Sequence, residues 1–239
     1  MAKEIVVTAK KVYGIKRKYS KVKIIVSIIL LLLALTFIIL GLIYKGGKFT
    51  ITLDKRLSQE SGIVIYDDYE IKESKRKLEA RNIDFMDNIS IDWIPKNIDN
   101  EKDGAHNGEN YIAYTFYIEN EGTENINYWY TVKIDDVIKN VDEAARVMIF
   151  LNGNKKVYAK INSYTNEPEK DTEPFFDKTT AVLEQRKDFE PGNIDKFTIV
   201  IWLEGDDPDC IDNILGGEIK MHMEIREEYK EEGENNEKK

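Results

Sequence analysis

The chain has 239 residues and a formal net charge of −9 at pH 7. Apart from one apolar segment, it is long enough for one ordinary domain with a substantial core, but not for two. We do not expect nucleic acid as a partner, because phosphate groups repel an acidic domain. The single cysteine, Cys210, excludes an intramolecular disulfide, and we expect a half-buried free thiol there.

The beginning of the chain is basic. Residues 1–23 contain eight lysine and arginine residues and one acidic residue, Glu4. Cytoplasmic flanks of membrane helices are enriched in lysine and arginine, so this basic tail predicts a cytoplasmic N-terminus. The tail is also suited to contact anionic lipid headgroups.

Residues 24–44, IIVSIILLLLALTFIILGLIY, carry no charge. As a helix with a rise of about 1.5 Å per residue they span about 30 Å, the thickness of the hydrocarbon core of a bilayer. The segment therefore predicts one transmembrane helix, with the lipid bilayer as its partner. The alternative is a cleaved signal peptide, but the basic and apolar regions are long for one and no Ala-x-Ala-like site follows. An uncleaved anchor places residues 45–226 outside the cytoplasm, at the cell membrane.

Most of the region 45–226 shows strand patterns. Apolar residues alternate with other residues, as is typical of strands with one buried face, in the segments 49–53, 126–134, 147–151, 197–203 and 219–225. The segment 111–118, YIAYTFYI, is apolar on both faces. It predicts either a central strand covered on both sides or a strand with one face carrying aromatic residues at a rim. Asn152-Gly153 predicts a tight hairpin turn, and residues 190–193, EPGN, predict a type II turn.

About eight short strands without a βαβ rhythm predict a mainly β fold. We expect an extracytoplasmic β-sandwich over 45–226, jelly-roll or immunoglobulin-like, preceded by the transmembrane helix. Two further elements are expected, a strand at 89–93 that ends before Pro95 and a helical turn at 135–145. Residues 227–239 are charged without an apolar pattern and predict a disordered tail.

The last two strand patterns predict side-chain directions. Ile201 and Met221 fall on the core face, whereas Lys220 and Glu224 fall on a solvated face. Trp202 lies opposite Ile201. It is therefore expected either beneath a short helix formed by residues 206–215 or in an exposed contact patch.

Five acidic residues are crowded into the turn after residue 203, namely Glu204, Asp206, Asp207, Asp209 and Asp212. Calcium takes six to eight oxygen ligands, so a calcium site is one interpretation, although the spacing is not that of an EF-hand. The other interpretation is that Asp206 or Asp207 caps the short helix and that its positive end favours the remaining acids. We favour capping and expect no metal or other cofactor.

Aromatic residues are dense in the outer domain. Such stripes usually pack between strands, although they also bind sugars or partner chains. Trp129 is the best candidate for an exposed contact because Asn127 and Thr131 beside it are polar. A contact patch of Trp129 and Trp202 would take a protein or a glycan at the cell surface.

No catalytic residue is predicted. The two histidines, His106 in a polar loop and His222 on a predicted solvent face, form no His-Glu-x-x-His motif. The sequence contains no Gly-x-Ser-x-Gly motif and no phosphate-binding loop. Acidic neighbours would raise the pKa of Cys210, which makes it a poor nucleophile. A non-enzymatic domain is therefore expected.

Two blocks carry a resemblance, NYIAYTFYIEN at 110–120 and TIVIWLEGDDPDC at 198–210. They resemble uncharacterised single-anchor surface proteins of Gram-positive bacteria, which are distantly similar to the camelysin and TasA group. The resemblance implies a β-sandwich that serves as a binding or structural module at the cell surface. A camelysin-like metal-dependent hydrolase, or a subunit of an envelope or biofilm-matrix assembly, is the alternative. No active-site residue of that group carries over, and its members usually have a cleavable signal.

Overall fold

The computed structural model describes residues 9–45, 48–81, 83 and 85–227. The chain forms two compact units, which divide between Gly47 and Lys48. The described part of the first unit is one helix, α1 (Ala9–Lys45), so most of the basic tail is helical as well. The segment Lys21–Gly41 is apolar and long enough to cross a membrane, and none of it is buried. The predicted tail after residue 227 lies outside the described residues.

The second unit is mainly β, as predicted. It contains one short helix, α2 (Lys55–Gln59), among its described residues. In chain order the strands are β1 (Thr50–Leu53), β2 (Ile63–Tyr66), β3 (Lys77–Glu79), β4 (Gly104–Ala105), β5 (Tyr111–Asn120), β6 (Ile126–Ile138), β7 (Ala145–Leu151), β8 (Asn154–Ala159), β9 (Glu173–Pro174), β10 (Thr180–Phe189), β11 (Ile194–Leu203) and β12 (Glu218–Arg226).

These strands form two sheets. The first has the order β10-β6-β12-β1-β3, and the second has the order β2-β5-β11-β7-β8-β9, with β4 also paired to β5. Both sheets are mixed, because β1 runs parallel to β12 and β8 runs parallel to β9, while the other pairs are antiparallel. Strands β10 and β8 lie at or near the sheet edges on the same side of the domain.

One apolar core lies between the sheets, which makes the domain a sandwich. The first sheet contributes side chains such as Val132 and Met223, and the second contributes Phe197 and Ile199. Ring centroids of Tyr130 and Phe197 lie 5.2 Å apart in an edge-to-face contact across the core. The predicted core residues Ile201 and Met221 are both buried, and Lys220 is partly exposed.

The outer face of the second sheet carries a smaller apolar cluster. Ile94 and Ile98, from the segment between β3 and β4, pack there with Met148, Val200 and Trp202. Residues 113–118 of β5 are therefore buried on both faces, which confirms the central strand predicted at 111–118. This covering segment explains why β5 needs no polar face.

Three predicted elements are wrong in type. The segment 89–93 is not a strand but ends in a 3-10 helix, Ile91–Trp93, because the backbone N–H of Ile91 bonds to Glu204 and the chain crosses over the sheet. The region 135–145 continues as β6 up to Ile138, and only Val141–Glu143 forms a 3-10 turn. The predicted short helix is a 3-10 turn, Asp212–Ile214.

The two turns are confirmed. The long strand β10 was missed, as were the short strands β3, β4 and β9. Asn152 and Gly153 have φ angles of 51° and 80° and join β7 to β8. The N–H of Asn193 donates to the carbonyl of Glu190 at 3.0 Å, and Gly192 takes a φ of 82°. Strand β10 was not predicted, because an edge strand can carry polar residues on both faces, as residues 184–188, EQRKD, do here.

Candidate functional site

The structure separates the five acidic residues of the turn into two groups. Glu204, Asp207 and Asp209 are buried, whereas Asp206 and Asp212 are exposed. Glu204 accepts hydrogen bonds from the indole Nε1 of Trp202 at 3.0 Å and from the backbone N–H of Ile91 at 3.1 Å. Its carboxylate therefore fixes the segment that covers the second sheet.

Asp207 does not cap a helix, which corrects the prediction. Its carboxylate forms an ion pair with the guanidinium of Arg146 in β7, and it accepts the N–H of Asp209 at 2.7 Å. The 3-10 turn that follows begins after Ile211 and has no side-chain cap. Asp206 is not its cap either. The Asp207 carboxylate is thus balanced by the buried guanidinium of Arg146, which lies far away in the sequence and could not be located from the local pattern.

A group of three carboxylates lies beside this ion pair. Glu169, Asp207 and Asp209 each offer an oxygen, and these oxygens lie within 4.8 Å of one another. Hard cations bind such oxygens. Each acid already has a protein donor, however, since Asn162 Nδ2 donates to Glu169 at 2.8 Å and the N–H of Ser163 donates to Asp209 at 2.9 Å. The arrangement thus links the loop that contains Asn162 and Glu169, and the turn after β11, to Arg146 of β7.

The predicted contact patch of Trp129 and Trp202 is not formed. Trp202 is completely buried in the cluster on the outer face of the second sheet, where Ile94 and Ile98 cover it. It does not pack under the 3-10 turn, because Ile211 and Leu215 there are exposed. Trp129 is half-buried on β6.

The histidines occupy polar environments of different kinds. The ring nitrogens of His106 lie 2.9 Å and 3.2 Å from the carbonyl oxygens of Gly104 and Ile98. His222 lies 2.8 Å from Asp135, and its pKa is raised by its hydrogen bond to Glu224 and by Asp135, against the opposing effect of burial. Glu224 is half-buried in an ionic network. The prediction that it is solvated is therefore wrong.

Cys210 is half-buried, as predicted, and its sulfur accepts a hydrogen bond from Asn88 Nδ2 at 3.2 Å. Burial raises the pKa of its thiol, and the nearby Asp207 and Glu204 raise it further. The thiol is therefore mostly protonated at neutral pH and is a poor nucleophile.

The structure also forms a cleft that the sequence did not predict. It has a volume of about 350 Å³ and lies between the sheets, where β6 and β10 face β7 and β8. Its buried lining consists mainly of Tyr130, Ile149 and Tyr158, with Leu151 half-buried, and its more exposed lining consists of Asn152, Asn154, Lys156 and Arg186. The volume is at the lower end of the range for small-molecule sites.

The charges at this cleft are paired. Lys156 Nζ lies 2.7 Å from Glu184, and Arg186 Nε lies 3.0 Å from Asp195. The hydroxyl of Tyr158 also donates to Glu184, at 3.0 Å. The cleft therefore combines fixed hydrogen-bonding groups with little uncompensated charge.

Tyr130 differs from its neighbour Tyr158. Tyr130 is 5% exposed, and among the described residues none hydrogen-bonds its hydroxyl. That hydroxyl is not sealed from solvent, because the described part of the chain has no fully buried side-chain oxygen without a partner. Burial, followed by the nearby Glu184 and Asp195, raises the pKa of Tyr130 well above its usual value. The phenol thus remains a hydrogen-bond donor at physiological pH.

Comparison with known proteins adds no family. No protein-family model matches the sequence, and no curated protein matches it. One solved structure, a β-glucosidase from Kluyveromyces marxianus in complex with glucose, is similar over 70% of this chain with 9% identity and a TM-score of 0.24. The match covers 15% of that enzyme. At this TM-score the likeness carries no argument about the fold or the function.

Proposed function

We propose that the chain is a single-pass membrane protein with a cytoplasmic N-terminus, whose β-sandwich serves as a binding module outside the cytoplasm. The observation that carries this proposal is the segment Lys21–Gly41, which is apolar and entirely unburied. A soluble protein would hide such a helix in its core, whereas a bilayer supplies the apolar surroundings it needs. The basic residues before it favour a cytoplasmic N-terminus.

The binding role is supported by the contrast between the carboxylate group and the cleft between the sheets. In the carboxylate group, Asp207, Asp209 and Glu169 are held by Arg146, Ser163 and Asn162, which suits a structural link better than a hydrolytic metal centre. The cleft at Tyr130 instead offers an open lining with a free hydroxyl. A binding or structural module is therefore favoured over an enzyme.

Protease protection tests the topology. Full-length protein is expressed with one epitope tag at Met1 and another at Lys239, and protease is added to cells without their wall. We expect the C-terminal tag and the β-domain to be digested while the N-terminal tag survives. A protected β-domain, or a β-domain released into the medium by cleavage, would contradict the proposal.

Charge variants sharpen this test. Replacing Lys16, Arg17 and Lys18 by glutamate removes part of the positive flank and should increase the fraction of inverted molecules. The matched change Lys155→Glu, on the exposed surface of β8, should leave the orientation unchanged. Leu33→Arg, in the middle of the apolar segment, costs roughly 2.5–3.5 kcal/mol on insertion scales and should reduce recovery in the membrane fraction.

A further inference from the structure

We propose that the cleft between the sheets binds a small, uncharged, hydroxyl-rich ligand, namely a saccharide unit of one or two rings. The inference rests on the proposed function as a binding module and names the ligand class of its site. It is carried by the lining of the cleft, by the pairing of its charges and by the unpartnered hydroxyl of Tyr130.

The lining has an apolar part and a polar part, which complement the C–H groups and the hydroxyls of a sugar ring. Tyr130 and Tyr158 place aromatic rings beside the side chains of Ile149 and Leu151. C–H groups of a sugar can contact this apolar floor of the cleft, while its hydroxyls need hydrogen-bonding partners around them. Asn154, Lys156 and Arg186 supply those partners along the more exposed part of the lining.

The charge pairing selects against an ionic ligand. Because Lys156 is paired with Glu184 and Arg186 with Asp195, the cleft offers little uncompensated positive charge to attract an anion. A neutral hydroxyl can bond to the remaining donor and acceptor sites of these groups without breaking either pair. The ligand expected here is therefore neutral.

The site is held in place before any ligand arrives. Asn152, at the turn between β7 and β8, donates from Nδ2 to Asp195 at 2.7 Å, and its Oδ1 accepts the N–H of Lys196 at 2.8 Å. The ring of Tyr130 is fixed by its contact with Phe197. A rigid site loses little entropy on binding, which helps a small ligand. The hydroxyl of Tyr130 is then a ready donor for one ligand oxygen.

Binding is measured with full-length protein in a detergent without a sugar headgroup, because an alkyl glycoside would compete for the cleft. The probes are lactose, maltose and N,N′-diacetylchitobiose, followed by calorimetry or ligand-observed NMR. We expect at least one to bind with a dissociation constant on the order of 1 mM. No binding of any of the three up to roughly 10 mM would overturn the proposal. Tighter binding of inorganic phosphate, displaced by none of them, would also overturn it.

Variants locate the bound sugar. Tyr130→Phe keeps the ring and removes the hydroxyl, so the affinity should fall roughly 3- to 10-fold, the effect of one lost hydrogen bond. Its thermal stability should not fall, since that hydroxyl has no protein partner. Tyr66→Phe is the matched control. Tyr66 lies on β2, at the other edge of the second sheet, and its hydroxyl donates to Glu119 of β5. Removing that hydroxyl should leave the affinity unchanged.

Asn154→Ala removes an exposed amide from the lining and should also weaken binding. Disaccharide binding that is equally strong in Tyr130→Phe, Asn154→Ala and Tyr66→Phe would place the sugar elsewhere and refute the site. The protease experiment is made without ligand, so a failure of this inference leaves the topology result intact.

Discussion

Arg146 and Asp207 form an ion pair whose side chains are 4% and 1% exposed. The guanidinium also donates to the backbone carbonyl of Ala145 at 3.2 Å, and Asp207 binds the N–H of Asp209. The pair joins the start of β7 to the turn after β11. Removing two charges from water is expensive, and the pair is tolerated because these further hydrogen bonds satisfy both groups.

Removal of one partner of this pair should be strongly destabilising. Asp207→Ala leaves the Arg146 guanidinium buried without its counter-charge, and we expect a loss of about 3–5 kcal/mol in the free energy of unfolding. Denaturant unfolding followed by tryptophan fluorescence measures it, because all three tryptophans lie in the β-domain. Asp206→Ala, at an exposed neighbour, should cost less than about 0.5 kcal/mol. Equal costs for the two variants would contradict the assignment.

Calcium should have little effect on the thermal unfolding of the β-domain. Each of Glu169, Asp207 and Asp209 already accepts a protein donor. A cation bound only to the native state at 100 times its dissociation constant would add about 2.7 kcal/mol. Thermal unfolding with and without millimolar calcium decides between the two interpretations. A stabilisation that disappears in Asp209→Asn would mean that the group is a metal site.

Because of the ion pair between His222 and Glu224, the free energy of unfolding should fall both at alkaline pH and at acidic pH. The pKa of His222 is raised by its bond to Glu224, so its contribution is complete below its unfolded pKa of about 6.5 and is lost as the pH rises through the folded pKa. The pKa of Glu224 is lowered by His222. Its contribution is complete above about 4.3 and is lost as the pH falls through its folded pKa.

His222→Gln should therefore remove much of the decline in stability on the alkaline side. Urea unfolding of wild type and variant across this pH range measures the effect. Lys155→Gln, on the exposed face of β8, is the control and should keep the wild-type dependence. A wild-type slope that persists in His222→Gln would show that another group causes it.

Gly62 and Gly153 both have a positive φ but different surroundings, so alanine at each position separates the cost of the backbone conformation from the cost of a steric clash. Their φ angles are +71° and +80°, but a Cβ on Gly62 would lie 2.7 Å from the Cα of Gly122, whereas one on Gly153 meets nothing within 4 Å. Gly153→Ala should cost roughly 1 kcal/mol for the backbone conformation alone. Gly62→Ala should cost clearly more, because the backbone at Gly122 must shift. Similar losses in thermal unfolding would argue against this close approach.

The sequence by itself determined the features that depend on neighbouring residues. The apolar length of residues 24–44 predicted a membrane helix, and period-two patterns predicted strands such as β11 and β12 together with their core faces. The turn at Asn152 followed from the two residue types that tolerate positive φ. These signals are local, since helix length, strand alternation and turn chemistry involve residues close in the chain.

Tertiary structure alone decided what charged and aromatic side chains do. Asp207 pairs with Arg146, which lies 61 positions away in the sequence, and the sequence patterns gave no reason to pair them. Trp202 became a core residue only because the segment around Ile94 covers its sheet face. The cleft at Tyr130 exists because β6 and β10 of one sheet face β7 and β8 of the other. Such contacts depend on the packing of distant segments, which hydrophobic periodicity does not specify.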